Sequence, residues 1–212
     1  MSISCALPGG GLRIAPDRLP DPPEAPAPAG AGPAEAVLAG GCFWCTEAVF
    51  ARLDGVLSVE PGYAGDSASN ANYDAVCSGR TRHAEAIRIR FDPERIGFGQ
   101  LLKVFFAVAH DPTQRDRQGN DIGPQYRSAI FPRDAAQQAL AAAYIAQLQQ
   151  AGVFDGPIAT TIEPGQDFHP AEAHHHGYAR RNPHQPYIRH VSQPKVEKLL
   201  RYFAERVPKV SR

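Results

Sequence analysis

The pattern of apolar and polar positions divides the first half of the chain into alternating strands and helices. A short apolar run at residues 36–40 predicts a buried strand, and residues 43–53 predict a helix. A second strand is predicted at 56–63, and the small, polar residues of 64–82 predict a long loop. Loops of this length within a compact domain often carry function.

The alternation is clearest at residues 83–92. Ile87, Ile89 and Phe91 fall on one face of the predicted strand, and Glu85 falls on that same face. The remaining predicted elements follow the same rules of periodicity. They are a helix at 98–109, a polar loop at 110–125, a strand at 126–132, a helix at 134–151, a strand at 157–163 and a final helix carrying Val196, Leu199, Leu200 and Phe203.

This order of elements predicts an α+β fold. We expect a single domain with a central mixed β-sheet (two βαβ-like units, ferredoxin-like), flanked by helices, with irregular N- and C-terminal extensions. The predicted domain covers residues 36–206, and 207–212 form a short tail. Residues 1–35 hold eight of the 20 prolines and have no helical or strand periodicity, which predicts an extended or disordered tail.

Composition narrows the classes of function. The 212 residues carry 22 basic and 22 acidic side chains, so no net charge favours nucleic acid or an anionic membrane. No apolar run approaches the roughly 18 residues that a membrane span needs. Four cysteines are too few for a disulfide scaffold in a chain of this length, and no export signal is evident. We therefore expect a cytoplasmic protein that keeps its thiols for chemistry.

Two of the cysteines lie three residues apart in the segment 40–47, which reads GGCFWCTE. Cys42 would sit at the start of the predicted helix, where unpaired N–H groups and the helix dipole favour an anion and lower the pKa of a thiol. The pair indicates redox or nucleophilic chemistry. A zinc site would need two further ligands, and the chain has no second Cys-x-x-Cys or regular His spacing; a purely structural pair is the third reading.

Three other groups are candidates for chemistry. Glu85, drawn into an apolar face, would lose hydration and become a proton donor near neutral pH, unless it lies at the sheet margin beside Arg82. Asp121 and Tyr126 lie in a polar stretch for which the pattern alone favours an ordinary surface loop. The histidines at 169 and 174–176 favour a solvated or hydrogen-bonded face over a substrate or metal site, and we expect no bound metal.

Taken together, the motifs resemble a known family. The segments GCFWC, GYAG, NYDAVCSG, HAEAIRIRFDP, HDPT, RQGNDIGPQYRSAIF and NPHQPYIRHVSQPKVEKL occur in the order found in the A-type peptide methionine-(S)-sulfoxide reductases. The resemblance covers about residues 36–206. It implies an enzyme that reduces the S epimer of methionine sulfoxide, free or in oxidised proteins and peptides, and so repairs oxidative damage.

The resemblance also implies a role for each matched residue. Cys42 matches the nucleophile that attacks the sulfoxide sulfur, leaving a sulfenic acid and releasing methionine. Glu85 matches the acid that protonates the sulfoxide oxygen. Tyr73 and Tyr126 match hydroxyls that bind the sulfoxide oxygen, and Asp121 matches a residue that helps to arrange the site. Phe43 and Trp44 match the pair that surrounds the S-methyl group. His175 and Tyr178 match substrate-binding residues.

The sulfenic acid must then be resolved. Many family members use a C-terminal cysteine, but no cysteine follows Cys77 here, and Ile188 stands where relatives often carry one. We expect Cys45 to resolve the sulfenic acid, with Cys77 or an external thiol as the alternatives. Thioredoxin or another dithiol would then reduce the disulfide, with no bound cofactor. Nothing in the sequence signals an oligomer, so we expect a monomer.

Several positions depart from the family pattern. Asp66 and Arg82 stand where glycines are usual, and His176 and Gly177 alter the pattern that follows His175. Arg82 could hold Glu85 ionised and weaken it as an acid. Two other readings therefore stay open: a general thiol-disulfide oxidoreductase that uses Cys42 and Cys45, and a catalytically impaired sulfoxide-binding or metal-binding module.

Overall fold

A computed structural model describes residues 14–23 and 32–208, and its core is a six-stranded sheet. A separate pair of short strands lies outside that sheet. The strands are β1 (Ala34–Gly40), β2 (Val56–Ala64), β3 (Ala84–Phe91), β4 (Arg117–Gln118), β5 (Asp121–Ile122), β6 (Ser128–Phe131), β7 (Thr161–Ile162) and β8 (Phe168–Pro170).

The main sheet has the order β7-β6-β1-β3-β2-β8. Strands β6 and β7 are parallel, and every other neighbouring pair is antiparallel. The predicted α+β domain with a mixed central sheet and flanking helices is therefore confirmed. Strands β1 and β2 run in the same direction, with β3 between them. The more specific ferredoxin-like classification stays a prediction.

Helices cover the sheet and carry the rest of the core. They are α1 (Phe43–Phe50), α2 (Tyr73–Cys77), α3 (Phe98–Val104), α4 (Ala135–Ala151), α5 (Tyr178–Arg181) and α6 (Gln193–Tyr202). Helix α3 continues as a π-helical turn over Phe105–Ala109, and a second π-helical turn over Ile188–Ser192 leads into α6.

The alternation in β1 and β3 separates two apolar clusters. Leu38 and Ile87 belong to the large cluster that includes residues of α1, α3, α4 and α6, whereas Val37 and Ala86 belong to a small cluster on the opposite face. Because Glu85 has the parity of Ile87, its side chain points into the face that the helices bury. The strand thus directs a carboxyl group toward the start of α1.

Four predicted elements differ from the structure. The segment 64–82 contains the helix α2 as well as a loop, and Asn72 begins that helix by accepting a hydrogen bond from the amide N–H of Ala75. A helix of five residues has no apolar period to reveal it. The helix at 43–53 ends at Phe50, the strand at 157–163 is reduced to two residues, and the predicted polar loop at 110–125 contains the β4–β5 pair.

Part of the segment 1–35, which was predicted to be an extended or disordered tail, is ordered on the domain. Residues 14–23 lie against the domain, and Leu19 is buried in the large apolar cluster. The carbonyl of Pro20 accepts a hydrogen bond from the Tyr144 hydroxyl at 3.0 Å, and Asp21 pairs with Lys103 at 2.6 Å. Pro16 begins a short 3₁₀ helix over Pro16–Arg18, so the prolines of this segment are compatible with local structure and with packing. Residues 1–13, 24–31 and 209–212 lie outside the described residues.

Within the described parts of the chain, no helix is both long and apolar enough to cross a membrane.

Candidate active site

Cys42 lies at the turn between β1 and α1. Gly41 has a φ of 82°, and a Cβ atom there would lie 2.7 Å from Cγ of Gln118, so the tight turn requires glycine. Cys42 is the N-cap residue of α1 and Cys45 lies in the first turn of the helix. Both are free thiols and both are buried. The turn therefore sets the two sulfur atoms side by side below the surface.

The pKa values of Cys42 and Cys45 contradict one prediction from the sequence. Burial raises the pKa of the Cys42 thiol well above its usual range, with the neighbouring Cys45 as a further cause. The hydrogen bond from Cys42 lowers the pKa of Cys45 to about 7. The expected lowering of the Cys42 pKa by the helix start is wrong, because the N–H groups of Cys45 and Thr46 bond to the Cys42 carbonyl and not to its sulfur.

Glu85 takes the helix-start position that the thiol was expected to occupy. Its Oε2 accepts a hydrogen bond from the amide N–H of Phe43 at 3.0 Å, and the side chain is 2% exposed. Burial raises the pKa of Glu85 to about 8, and the negative charges of Asp121 and Cys45 act in the same direction. The carboxyl group is therefore protonated at neutral pH, and Arg82 does not hold it ionised.

Tyr73 and Tyr126 lie near the same groups. Burial raises the pKa of both hydroxyls, and both also sense the charges of Glu85 and Cys42. Tyr73 opens α2, and its amide N–H donates to Oε1 of Glu172 at 2.9 Å. Two hydroxyl donors thus lie beside a protonated carboxyl and a buried thiol.

Aromatic rings line the other side of the thiol. Trp44 stacks on Tyr178 with ring centroids 3.8 Å apart, and its indole Nε1–H donates to Nδ1 of His175 at 3.1 Å. The Phe43 ring is buried and lies 5.1 Å from the His175 ring. His175 is therefore not a solvated surface residue but part of an aromatic wall.

Two residues of this site were missed by the sequence reasoning. Tyr187 accepts a hydrogen bond from Sγ of Cys45 at 3.8 Å and donates one to Oδ2 of Asp121. Glu172 accepts hydrogen bonds from the Tyr63 hydroxyl and the Tyr73 amide, both at 2.9 Å. The only sequence signal for Tyr187 is its place directly before Ile188, where relatives often carry a cysteine.

Cys77 ends α2 and is half-buried. Burial raises the pKa of its thiol, and Tyr73 shares a hydrogen bond with it. Cys77 therefore lies beside Tyr73, whereas Cys45 lies directly on the Cys42 side chain.

The departures from the expected family pattern have local partners. Asp66 accepts hydrogen bonds from the amide N–H groups of Arg82 and Ser67, each at 2.8 Å, which lowers the Asp66 pKa to about 2. The amide N–H of Gly177 donates to Glu47 at 2.8 Å. Asp66 and Arg82 thus stabilise the loop before β3 through their side-chain to backbone contact, and neither removes a group from the site.

In the portion of the chain covered by the structure, no group of three or more His, Cys, Asp or Glu side chains is placed to hold a metal ion.

A buried dithiol at a helix start, beside a protonated carboxylic acid and two hydroxyl donors, defines a thiol-dependent oxidoreductase. The model of the family Peptide methionine sulfoxide reductase matches residues 34–207. The chain belongs to this family of reductases.

Relatives and solved structures agree with that assignment. The chain is 49% identical over 178 residues to peptide methionine sulfoxide reductase MsrA of Deinococcus radiodurans, covering 84% of this chain and 86% of that one. It is 51% identical over 168 residues to the MsrA of Thermus thermophilus, covering 79% and 94%. The reduced form of Mxr1 from Saccharomyces cerevisiae superposes with a TM-score of 0.66 at 33% identity, covering 75% and 91%. Methionine sulfoxide reductase A of Corynebacterium diphtheriae gives a TM-score of 0.62 at 32% identity, covering 88% and 93%.

Proposed function

We propose that this reductase acts on the S epimer of methionine sulfoxide, free or in oxidised proteins and peptides, with Cys42 as nucleophile and Cys45 as resolving thiol. The observation that carries the proposal is the buried Glu85 carboxyl, which accepts a hydrogen bond from the Phe43 amide next to Cys42 and whose charge acts on the Cys42 thiol. A sulfoxide oxygen is a poor leaving group until it is protonated. A buried acid with a pKa of about 8 supplies that proton at neutral pH.

The first step reduces the sulfoxide. The Cys42 sulfur attacks the sulfoxide sulfur while Glu85 gives its proton to the oxygen, and Tyr73 and Tyr126 donate hydrogen bonds to that oxygen. The oxygen is transferred to Cys42 as a sulfenic acid, and the sulfide leaves as methionine. The Cys42 thiol proton replaces the proton that Glu85 gave, so no net proton is taken up. The raised pKa of Cys42 means that the free site rests as a thiol.

The selectivity for the S epimer follows from the different chemistry of the two sides of the site. Donors from Glu85, Tyr73 and Tyr126 suit the oxygen, whereas the aromatic wall of Phe43 and Trp44 suits the S-methyl group. In the opposite epimer the methyl group and the oxygen exchange places. Each would then meet the wrong surroundings, and the hydroxyl donors would lose their partner.

The second step forms a disulfide. Cys45 lies three residues from Cys42 within one helical turn, and the two side chains already share a hydrogen bond. A bond between them needs little rearrangement. The hydrogen bond from Cys42 lowers the pKa of Cys45 to about 7, so the Cys45 thiol loses its proton more readily than an ordinary cysteine. Cys77 lacks this contact.

The catalytic cycle closes with an external dithiol. We propose thioredoxin as the reductant, acting by thiol-disulfide exchange on the Cys42–Cys45 disulfide. Thiols that must be reduced again after each turnover suit a reducing compartment, and we propose the cytoplasm. The site is built from one copy of the chain, and we propose a monomer.

The test uses dithiothreitol and each epimer of a blocked methionine sulfoxide. We expect turnover of the S epimer alone, and no turnover by Cys42→Ser. Reduction of insulin disulfides without sulfoxide turnover would support a general thiol-disulfide oxidoreductase instead. Failure of both reactions in a folded protein would support a sulfoxide-binding module.

A further inference from the structure

Cys45 is connected to a carboxylate by two consecutive hydrogen bonds. The Cys45 thiol donates to the Tyr187 hydroxyl at 3.8 Å between sulfur and oxygen, and Tyr187 donates to Oδ2 of Asp121. The three groups come from α1, from the residue before the second π-helical turn, and from β5. The direction of donation is the same throughout, from sulfur toward the carboxylate.

Water has no access to the Cys45 sulfur in this arrangement. Cys45 has an exposure of 0%, so any proton that leaves the thiol must pass to another protein group. Asp121 and Tyr187 are half-buried, and Asp121 is therefore close enough to solvent to exchange the proton. The hydroxyl of Tyr187 is the described group that bridges the interior and this edge.

The charged and titratable groups that act on Cys45 come from several elements. Cys42 and Tyr187 bond to it, the Lys195 ammonium of α6 favours its thiolate, and the Asp121 carboxylate disfavours it. The charge of Cys45 in turn acts on Glu85. The thiolate thus forms between a cation on one side and the tyrosine–carboxylate pair on the other.

We propose that Tyr187 relays the proton of the resolving thiol, Cys45, to Asp121. The inference rests on the proposed function, because it requires Cys45 to be the thiol that attacks the Cys42 sulfenic acid. It gives Asp121 a role in the second step, as the acceptor of the thiol proton.

The step balances in atoms and electrons. The Cys45 sulfur attacks the Cys42 sulfur, the S–S bond forms, and the S–O bond of the sulfenic acid breaks. The thiol proton moves through Tyr187 to Asp121, while Glu85 gives its proton to the departing oxygen, which leaves as water. Cys45 is oxidised and Cys42 is reduced by the same electron pair. Solvent later returns a proton to Glu85 and removes one from Asp121.

The relay also couples the two carboxyl groups. The negative charge of Asp121 contributes to the raised pKa of Glu85. When Asp121 takes up the thiol proton, that repulsion disappears and Glu85 becomes the stronger acid. Removal of the proton from the Cys45 sulfur therefore assists protonation of the oxygen that leaves the Cys42 sulfur.

The test follows the two chemical steps separately in one turnover without reductant. Methionine release reports the first step, and the decline of dimedone-trapped sulfenic acid reports the second. Tyr187→Phe keeps the ring and its edge contact with Trp44, whose centroid lies 6.2 Å away, and removes only the hydroxyl. We expect one equivalent of methionine to be released and the disulfide step to slow at least ~10-fold.

The matched control is Tyr144→Phe. Its hydroxyl bonds to the Pro20 carbonyl, which belongs to none of the site residues described above, so the disulfide step should keep its wild-type rate. The pH profile provides a second readout. The wild-type step should reach a plateau once Cys45 ionises, whereas the Tyr187→Phe rate should continue to rise to higher pH, because Tyr187 contributes to lowering the Cys45 pKa.

A double-mutant cycle tests whether the two groups act in series. Asp121→Asn should slow the disulfide step, and the double variant with Tyr187→Phe should be no slower than the slower single variant. Multiplying defects, or a wild-type rate of disulfide formation in a folded Tyr187→Phe protein, would overturn the relay.

Hydrogen peroxide separates a failure of the relay from a failure of the proposed function. Cys42 is 8% exposed and Cys45 is 0% exposed, so peroxide is expected to reach Cys42 without any sulfoxide, and peptide mapping of the dimedone adduct checks that Cys42 carries the sulfenic acid. The disulfide step can then be measured even if methionine is never released. A Tyr187→Phe defect seen after peroxide supports the relay by itself.

Discussion

Glu85 accepts a hydrogen bond from the amide N–H of Phe43 at 3.0 Å, which places its carboxyl group at the first turn of the helix that carries both cysteines. The contact fixes the acid one residue from the nucleophile. Burial still dominates its ionisation, because a single amide donor does not replace the lost hydration. The residue that uses the helix start is therefore the acid and not the thiol.

Replacement of Glu85 by Gln tests the acid. Gln keeps the side-chain shape and an oxygen for the Phe43 amide, but it has no proton to give at the pH of the reaction. We expect the rate of methionine release to fall about 10²- to 10⁴-fold. The measurement is a rapid-quench assay of methionine. A loss of less than 3-fold with intact structure would exclude Glu85 as the acid.

The pH dependence of methionine release should differ in direction between the wild-type protein and Glu85→Gln. Raising the pH through about 8 ionises Glu85, so the wild-type rate of methionine release should fall above that pH. In Glu85→Gln only the ionisation of Cys42 remains, and its residual rate should rise with pH. Equal slopes for the two proteins would contradict this account.

Glu85 should also make the folded state less stable in alkali. Its pKa is raised on folding from 4.5 to about 8, so the folded state binds more protons between these values. The free energy of unfolding should therefore decrease as the pH rises through this window, and Glu85→Gln should remove the part of the decrease that Glu85 contributes. Urea unfolding at pH 5, 7 and 9 measures it.

Two serine substitutions separate the resolving candidates. Cys45→Ser should release about one equivalent of methionine with thioredoxin as reductant, because its Cys42 sulfenic acid has no partner in contact. Cys77→Ser should continue to turn over, and it is the matched control. Full cycling by Cys45→Ser with thioredoxin would exclude Cys45 as the resolving thiol.

The hydrogen bond between Trp44 and His175 predicts an effect on binding. His175→Ala removes the acceptor at 3.1 Å that orients the indole ring, so KM for a sulfoxide peptide should rise about 10-fold, equivalent to ~1.4 kcal/mol, with a smaller change in kcat. Steady-state kinetics measures both constants. His184 is exposed, and His184→Ala should leave both constants unchanged. Equal KM values for the two variants would refute the proposed role of His175.

The packed N-terminal segment should contribute to stability but not to chemistry. Leu19 is 3% exposed, and Leu19→Ala should lower the free energy of unfolding by about 2 to 3 kcal/mol without changing kcat. Leu57 is 51% exposed, so Leu57→Ala serves as the control, with an expected change within about 0.5 kcal/mol. Urea unfolding checks both. Equal stabilities would mean that residues 14–23 do not stay on the domain in solution.

Local periodicity predicted the parts of the fold that alternate most strongly. The alternation of β3 placed Glu85 in the buried face, and the apolar run before Cys42 placed β1. It did not predict α2, which depends on the side-chain cap of Asn72, or the packing of residues 14–23, which depends on contacts made more than 80 positions away in the chain. Such contacts leave no periodic trace in the sequence.

The site was predicted to the same extent. Its groups could be named from motifs, and the alternation of β3 predicted the raised pKa of Glu85, but the ionisation of the two cysteines could not be predicted. Which partner takes the helix-start N–H groups is decided by the approach of β3, 42 residues along the chain from Phe43. Tyr187 lies 142 residues from Cys45, and only the folded chain brings them together.

The most direct test of the central claim is a single turnover followed by peptide mapping. The fully reduced protein is mixed with excess S epimer of a methionine sulfoxide peptide in the absence of any reductant. We predict one equivalent of methionine peptide per protein and a disulfide between Cys42 and Cys45, with Cys77 still alkylated as a free thiol. A Cys42–Cys77 disulfide, or product formed without oxidation of Cys42, would contradict the account.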